Sequence, residues 1–166
     1  MRDSLIEGFQ YDLWANRQWV DMLKRVEPNI IAPAALVRVA IAGPWPDFPT
    51  NHPLSRAGEV FAHLLWAQRI WLERVGTSVA PEKADGYKWV EALHQGWVDE
   101  LQSRDPEERI AYRNSSGRPF ERSLAEIARH VVNHGTYHRG QLREIIGAVR
   151  PTGLPNTDLI GFFAER

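Results

Sequence analysis

The sequence predicts an all-α protein: a bundle of four long helices, with one short β-hairpin before the last long helix. Two observations carry this. Apolar residues recur at three- and four-residue spacing through four long segments, and no period-two alternation persists anywhere. A third observation, a turn-rich stretch at 107–120, supplies the hairpin.

The first helix reads from residue 3 to 26. Leu5, Phe9, Leu13, Val20 and Leu23 recur at helical spacing, flanked by Ile6 and Trp14, and Pro28 marks the end. Residues 28–54 follow a different pattern. Ile30–Ala42 is apolar enough to pack as a short helix, but the run Gly43-Pro44-Trp45-Pro46-Asp47-Phe48-Pro49 is too stiff for regular structure. It reads as a packed surface loop, with a covering flap over a site as the alternative. The second helix spans 55–75, with Ser55 as N-cap and Gly76 as stop. Val60, Leu64 and Trp71 form its stripe, and His63 lies beside that apolar face.

The third helix spans 86–103, with Trp89, Leu93, Trp97 and Leu101 spaced by four. His94 follows Glu91 by three residues, half of a di-iron carboxylate pattern whose second half is missing, so His94 reads as a surface residue. In EERIAYRNSSGRPF, Ile110 and Tyr112 form one hairpin arm and Asn114–Gly117 the turn. Ser123-x-x-Glu126 is a capping box opening the fourth helix. That helix runs to about Val149, with Leu124, Ile127, Val131, Leu142, Ile145 and Ile146 on its apolar face, and Arg150-Pro151 ends it. The tail, PTGLPNTDLIGFF, is expected to pack back on the bundle.

Composition bounds the function. The 166 residues suit one domain spanning 1–166 with a substantial core. A net charge of −1, with no block of like charges, argues against a basic nucleic-acid-binding face. The absence of cysteine excludes disulfides, thiolate metal sites and a cysteine nucleophile. The N-terminus reads as neither a signal peptide nor a membrane span, and no apolar run reaches the ~18 residues a spanning helix needs, so a cytoplasmic protein is expected. The seven tryptophans are expected mainly in the core.

The chemistry is concentrated in residues 130–142, HVVNHGTYHRGQL, which hold three of the six histidines: His130, His134 and His138. Residues four apart on a helix share a face about 6 Å apart along the axis, so His134 can pair with His138, or equally with His130, to present two imidazoles to one point. His63 on the second helix is the candidate third nitrogen. Three histidines with open positions form the pattern of a catalytic metal site rather than a closed structural one. Glu59, Glu126 and Asn133 are within sequence reach as groups that orient the rings. There is no His-Glu-x-x-His motif and no phosphate-cradling glycine loop.

The run NHGTYHRGQL at 133–142 resembles the signature of the DinB (DNA-damage-inducible) family, within the DinB/YfiT-like metalloenzyme superfamily. YDLWAN at 11–16 resembles that family's first-helix motif, and FAHLLWAQRIWLERV at 61–75 its second helix. The hairpin and PNTDLIGFF also fit, whereas the proline-rich 28–54, with Pro44, Pro46, Pro49 and Pro53, departs from the family. The resemblance implies up-down-down-up connectivity, a homodimer, and a divalent metal, nickel or zinc, held by His63, His134 and His138 in preference to His130. It implies a metal-dependent thiol (S-) transferase or isomerase using mycothiol, bacillithiol or glutathione as a low-molecular-weight thiol co-substrate. The alternatives are a metal-dependent hydrolase acting with water and a non-catalytic metal-binding, stress-associated protein. The family name does not imply DNA binding, against which the charge argues.

Overall fold

The computed structural model describes residues 1–26, 55–79 and 86–165. Its elements are α1 (Arg2–Val26), α2 (Ser55–Val75), α3 (Gly86–Ser103), β1 (Arg109–Arg113), β2 (Pro119–Ser123), α4 (Leu124–Val149) and α5 (Leu159–Ala164). The short helix and stiff loop expected within 28–54 lie outside the described residues, as does the side chain of Ser55 with its expected cap.

The helix ends follow from local chemistry. Gly76, at φ +110°, closes α2 with a Schellman pattern: its N–H donates to the Glu73 carbonyl and the Thr77 N–H to that of Leu72, at 3.1 and 3.0 Å. At the start of α4, the Glu126 N–H donates to Ser123 Oγ at 3.2 Å, while the Ser123 N–H donates to Glu126 Oε2 at 2.8 Å. This is the capping box read from the sequence. β1 and β2 pair antiparallel from Arg109↔Ser123 to Arg113↔Pro119, so the second strand runs directly into the cap of α4. Asn114 Oδ1 accepts from the Ser116 and Arg118 N–H groups at 3.1 and 2.9 Å and holds the turn.

Side-chain pairs fix the helix directions. Between α1 and α3, Phe9 stacks on Trp97 at 4.9 Å, Arg17 meets Glu91 at 2.5 Å, and Lys24 sits 3.8 Å over the Tyr87 ring, so these helices run antiparallel. Between α1 and α4, Gly8 faces Val132 and Asn16 reaches Arg139, a parallel pair. Leu72 lies against Gly96 and Thr77 bonds Glu100, so α2 runs parallel to α3. His63 meets His138 while Trp71 meets His130, so α2 is antiparallel to α4. The bundle is therefore up-down-down-up.

Trp19, Trp89 and Trp97 are at most 1% exposed and anchor the core with Phe9, Phe61 and the leucines of α2. Burying such rings supplies much of the driving force for packing the amphipathic faces. His94 corrects the surface reading: it is half-buried, and its Nδ1 lies 3.1 Å from the Phe9 carbonyl oxygen. The cause is its position between α1 and α3, where its ring fastens the two helices while Glu91 turns outward to Arg17. The tail folds back as expected and adds the short helix α5. Phe162 packs on Tyr11 and Trp14 at 5.9 and 5.7 Å, and the Tyr11 hydroxyl donates to the Thr157 carbonyl at 2.8 Å. Among the described residues no helix is long and apolar enough to cross a membrane.

Candidate metal centre

α2 and α4 face each other along matching stripes. On α4, His130, His134 and His138 recur at four-residue steps; on α2, His63 and Trp71 lie eight apart, a little over two turns and about 80° round the helix, within one broad stripe. Because the helices are antiparallel, His63 comes to the level of His134 and His138, and Trp71 to the level of His130. The ring centroids lie 5.3 Å (His63 to His134), 4.7 Å (His63 to His138) and 4.3 Å (His134 to His138) apart.

His63, His134 and His138 each offer one nitrogen, all within 4.8 Å of one another, a group able to hold a metal ion. His130 stands aside, its ring 5.7 Å from that of His134 and packed edge-on against Trp71 at 5.1 Å. Of the two pairings open to His134 by spacing, the structure thus gathers the one with His138 around His63.

The His138 Nδ1 lies 2.7 Å from Gln141 Oε1. A carbonyl oxygen only accepts, so Nδ1 carries the proton and Nε2 is the unprotonated, accepting nitrogen. That Nε2 lies 3.1 Å from His134 Nε2. Two nitrogens held at about 2.0–2.1 Å from one ion, at angles between octahedral and tetrahedral, are separated by about 2.9–3.4 Å. The close pair is therefore already at ligand spacing. Gln141 in turn donates to the Tyr137 hydroxyl at 3.2 Å. Glu126, one of the residues considered for orienting the rings, is instead engaged in the capping box. Gln141 fills that role on His138 through a side chain one helical turn away.

The electrostatics favour lone pairs over protons. Burial pushes all three imidazoles below the ordinary histidine range; His138 adds to this at His63, and Gln141 opposes it at His138. His134 is lowered to about 4 by burial, with His138, His63 and His130 contributing in that order. Neutral, half-buried imidazoles that repel one another's protons suit a cation at the point where they converge.

Behind the histidines lies a feature the sequence reading missed. Asp12, Asn16, Gln68 and Arg139 are all at most 3% exposed and form one polar knot between α1, α2 and α4. Arg139 Nη1 donates to Asp12 Oδ1 at 2.5 Å and to Asn16 Oδ1 at 2.8 Å, and Nη2 donates to Thr136 Oγ1 at 3.0 Å. Asp12 Oδ2 accepts from Asn16 Nδ2 at 2.8 Å and from Gln68 Nε2. Gly135 admits this approach, since a Cβ there would lie 2.5 Å from Asp12 Oδ1. The available signal was Asp12 and Asn16, which fall three and seven residues after Phe9 on the core face of α1. Two polar residues on an otherwise apolar stripe call for buried partners. Arg139 follows His138 directly, so the knot sets the depth and rotation of the helix that carries two of the three rings.

A family model described as the DinB family matches residues 1–151. The chain is similar to "Protein DinB" of Bacillus subtilis (strain 168), 23% identical over 159 residues that cover 88% of this chain and 86% of that one. No solved structure gives a significant match. YDLWAN, FAHLLWAQRIWLERV and NHGTYHRGQL all fall inside the matched region, and they are the segments that build the polar knot and bring the three histidines together. The chain belongs to the DinB family.

Proposed function

We propose that this protein is a divalent-metal-dependent enzyme in which His63, His134 and His138 hold one nickel or zinc ion and a low-molecular-weight thiol serves as co-substrate. The observation that carries the reading is the convergence of three neutral imidazoles, one with its tautomer fixed by Gln141. Three neutral ligands leave the full double positive charge of a divalent ion uncompensated, which favours an anionic fourth partner and acidifies a thiol bound there. His138 keeps its lone pair on Nε2 through Gln141, and His63 stacks on Trp66 at 5.9 Å, which limits its rotation. His63, His134 and His138 are each half-buried rather than sealed in the core. A cytoplasmic homodimer completes the proposal; light scattering that shows a monomer across the micromolar range removes the dimer.

The ligand assignment is tested by metal content, measured by mass spectrometry after loading with nickel or zinc. His138→Ala is expected to lose most of the ion and His130→Ala to keep it; the reverse result refutes the assignment. The activity is tested by following consumption of glutathione, bacillithiol or mycothiol with a chlorodinitrobenzene electrophile. Metal-loaded protein that consumes none of these thiols but hydrolyses an activated ester belongs instead to the hydrolase reading. Metal-loaded protein that does neither belongs to the non-catalytic one.

A further inference from the structure

A hollow lies beside the histidine row, between α2, the hairpin and α4, with His130 at its edge one helical turn before His134. It has a volume of about 260 Å³ and is lined by Trp71, Tyr112, Arg122, Glu126, Ile127 and His130. Its walls are flat rings at fixed angles. Trp71 meets Tyr112 edge-on at 4.9 Å and His130 edge-on at 5.1 Å, and Tyr112 is held from behind by Phe120, stacked at 5.9 Å across the hairpin. Buried Ile127, 2% exposed, belongs to the core and also lines this hollow.

The hairpin that supplies Tyr112 and Arg122 also leads into the cap of α4, so one piece of local structure both starts the histidine helix and walls the hollow. His130, which lines the hollow, lies 5.7 Å from His134.

Arg122 and Glu126 line the hollow and feel each other's charge, and a further guanidinium, Arg74, lies just outside it. The Arg74 guanidinium lies 4.4 Å over the Trp71 ring and 5.4 Å over Tyr112. Arg122 is exposed and donates from Nη1 to the Glu121 carbonyl at 2.7 Å. Glu126, the one carboxylate among the described lining residues, accepts from the Ser123 N–H and is 3.5 Å from Arg109.

From this we infer that the hollow is a binding subsite for a planar aromatic group bearing a negative charge, the distal part of a small molecule whose reacting end sits at the three histidines. The inference rests on the metal-site reading for the placement of that reacting end. The aromatic walls supply stacking and edge contacts, Arg74 polarises them from outside, and Arg122 receives the anionic substituent. His130 thereby has a part that is not metal ligation: it is the ring shared by the hollow and the histidine row. The substrate class is an aryl compound with a carboxylate or sulfonate, long enough to bridge one to two helical turns.

The test uses naphthalene-2-sulfonate and neutral 2-naphthol as probes on the full chain, with binding followed by calorimetry and by the Trp71 indole N–H signal. Both probes are expected to bind metal-free protein. Tyr112→Ala is expected to weaken both by about tenfold, within the range of aromatic contacts. Arg122→Ala is an exposed change that spares the fold, and it is expected to weaken the sulfonate by about fivefold while leaving 2-naphthol unchanged. Loading with cobalt(II) is expected to shift the bound probe's proton signals, because the ion then lies within about two helical turns of it. Sulfonate binding that neither variant changes, or that leaves the Trp71 signal unmoved, overturns the subsite. A wild-type protein that takes up no cobalt, nickel or zinc but binds both probes with the expected variant pattern supports the subsite and refutes the metal reading. Cobalt uptake with no shift of the bound probe refutes the bridge between them.

Discussion

Asp12→Ala isolates the contribution of the polar knot. In the folded protein Asp12 is 3% exposed and accepts from Arg139, Asn16 and Gln68, so the substitution removes the one carboxylate among the described residues that the Arg139 guanidinium meets. Arg139, 2% exposed, is left as a buried cation with Asn16 Oδ1 and Thr136 Oγ1 as its partners. Breaking a buried ion pair from one side costs about 3–5 kcal/mol, because the remaining charge stays uncompensated. Folding stability totals only about 5–15 kcal/mol. For a chain of this length each kcal/mol is worth about 2–4 °C, which gives a loss in Tm of about 6–20 °C. Thermal and urea unfolding followed by circular dichroism measures it. The double variant Asp12→Ala/Arg139→Met removes both charges and is expected to lose less than the sum of the single losses. A loss below about 1 kcal/mol for Asp12→Ala, or strict additivity in the double variant, refutes the view that the knot holds α4 against α1.

Gln141→Ala removes the acceptor that fixes the His138 tautomer, and metal affinity is expected to fall about 10–100-fold with little change in metal-free Tm; competition with a chelator reads the affinity. pH acts on the same rings. Their folded pKa values are lowered below the unfolded value, so between that value and the folded one the unfolded chain binds more protons. Metal-free stability is therefore expected to fall as pH drops from about 6.5 towards about 4, the value for His134, and urea midpoints across that window check the sign. Metal binding is expected to weaken in the same direction, but at lower pH than for free imidazole, as equilibrium dialysis would show. Ser123→Ala opens the capping box and is expected to cost about 1 kcal/mol; a Tm unchanged within error contradicts the role given to Ser123.

Local patterns in the sequence determined the helices, the hairpin and the capping box. The 3.6-residue period, the Ser123–Glu126 spacing and the Asn114–Gly117 turn are all decided by residues within a few positions of one another. The His134–His138 pair was legible for the same reason, as was the candidacy of His63 beside an apolar face. Tertiary structure decided what joins residues far apart in the chain. His63 meets the pair only because α2 runs antiparallel to α4, and His130 is displaced because Trp71 takes the corresponding place on α2. His94 turned inward because α1 covers it, and Asp12 found Arg139 127 residues away. One-dimensional spacing fixes which side chains share a face, but the rotation and depth of each helix are set by the packing of rings such as Phe9 on Trp97 and by buried polar pairing, and those depend on every helix at once.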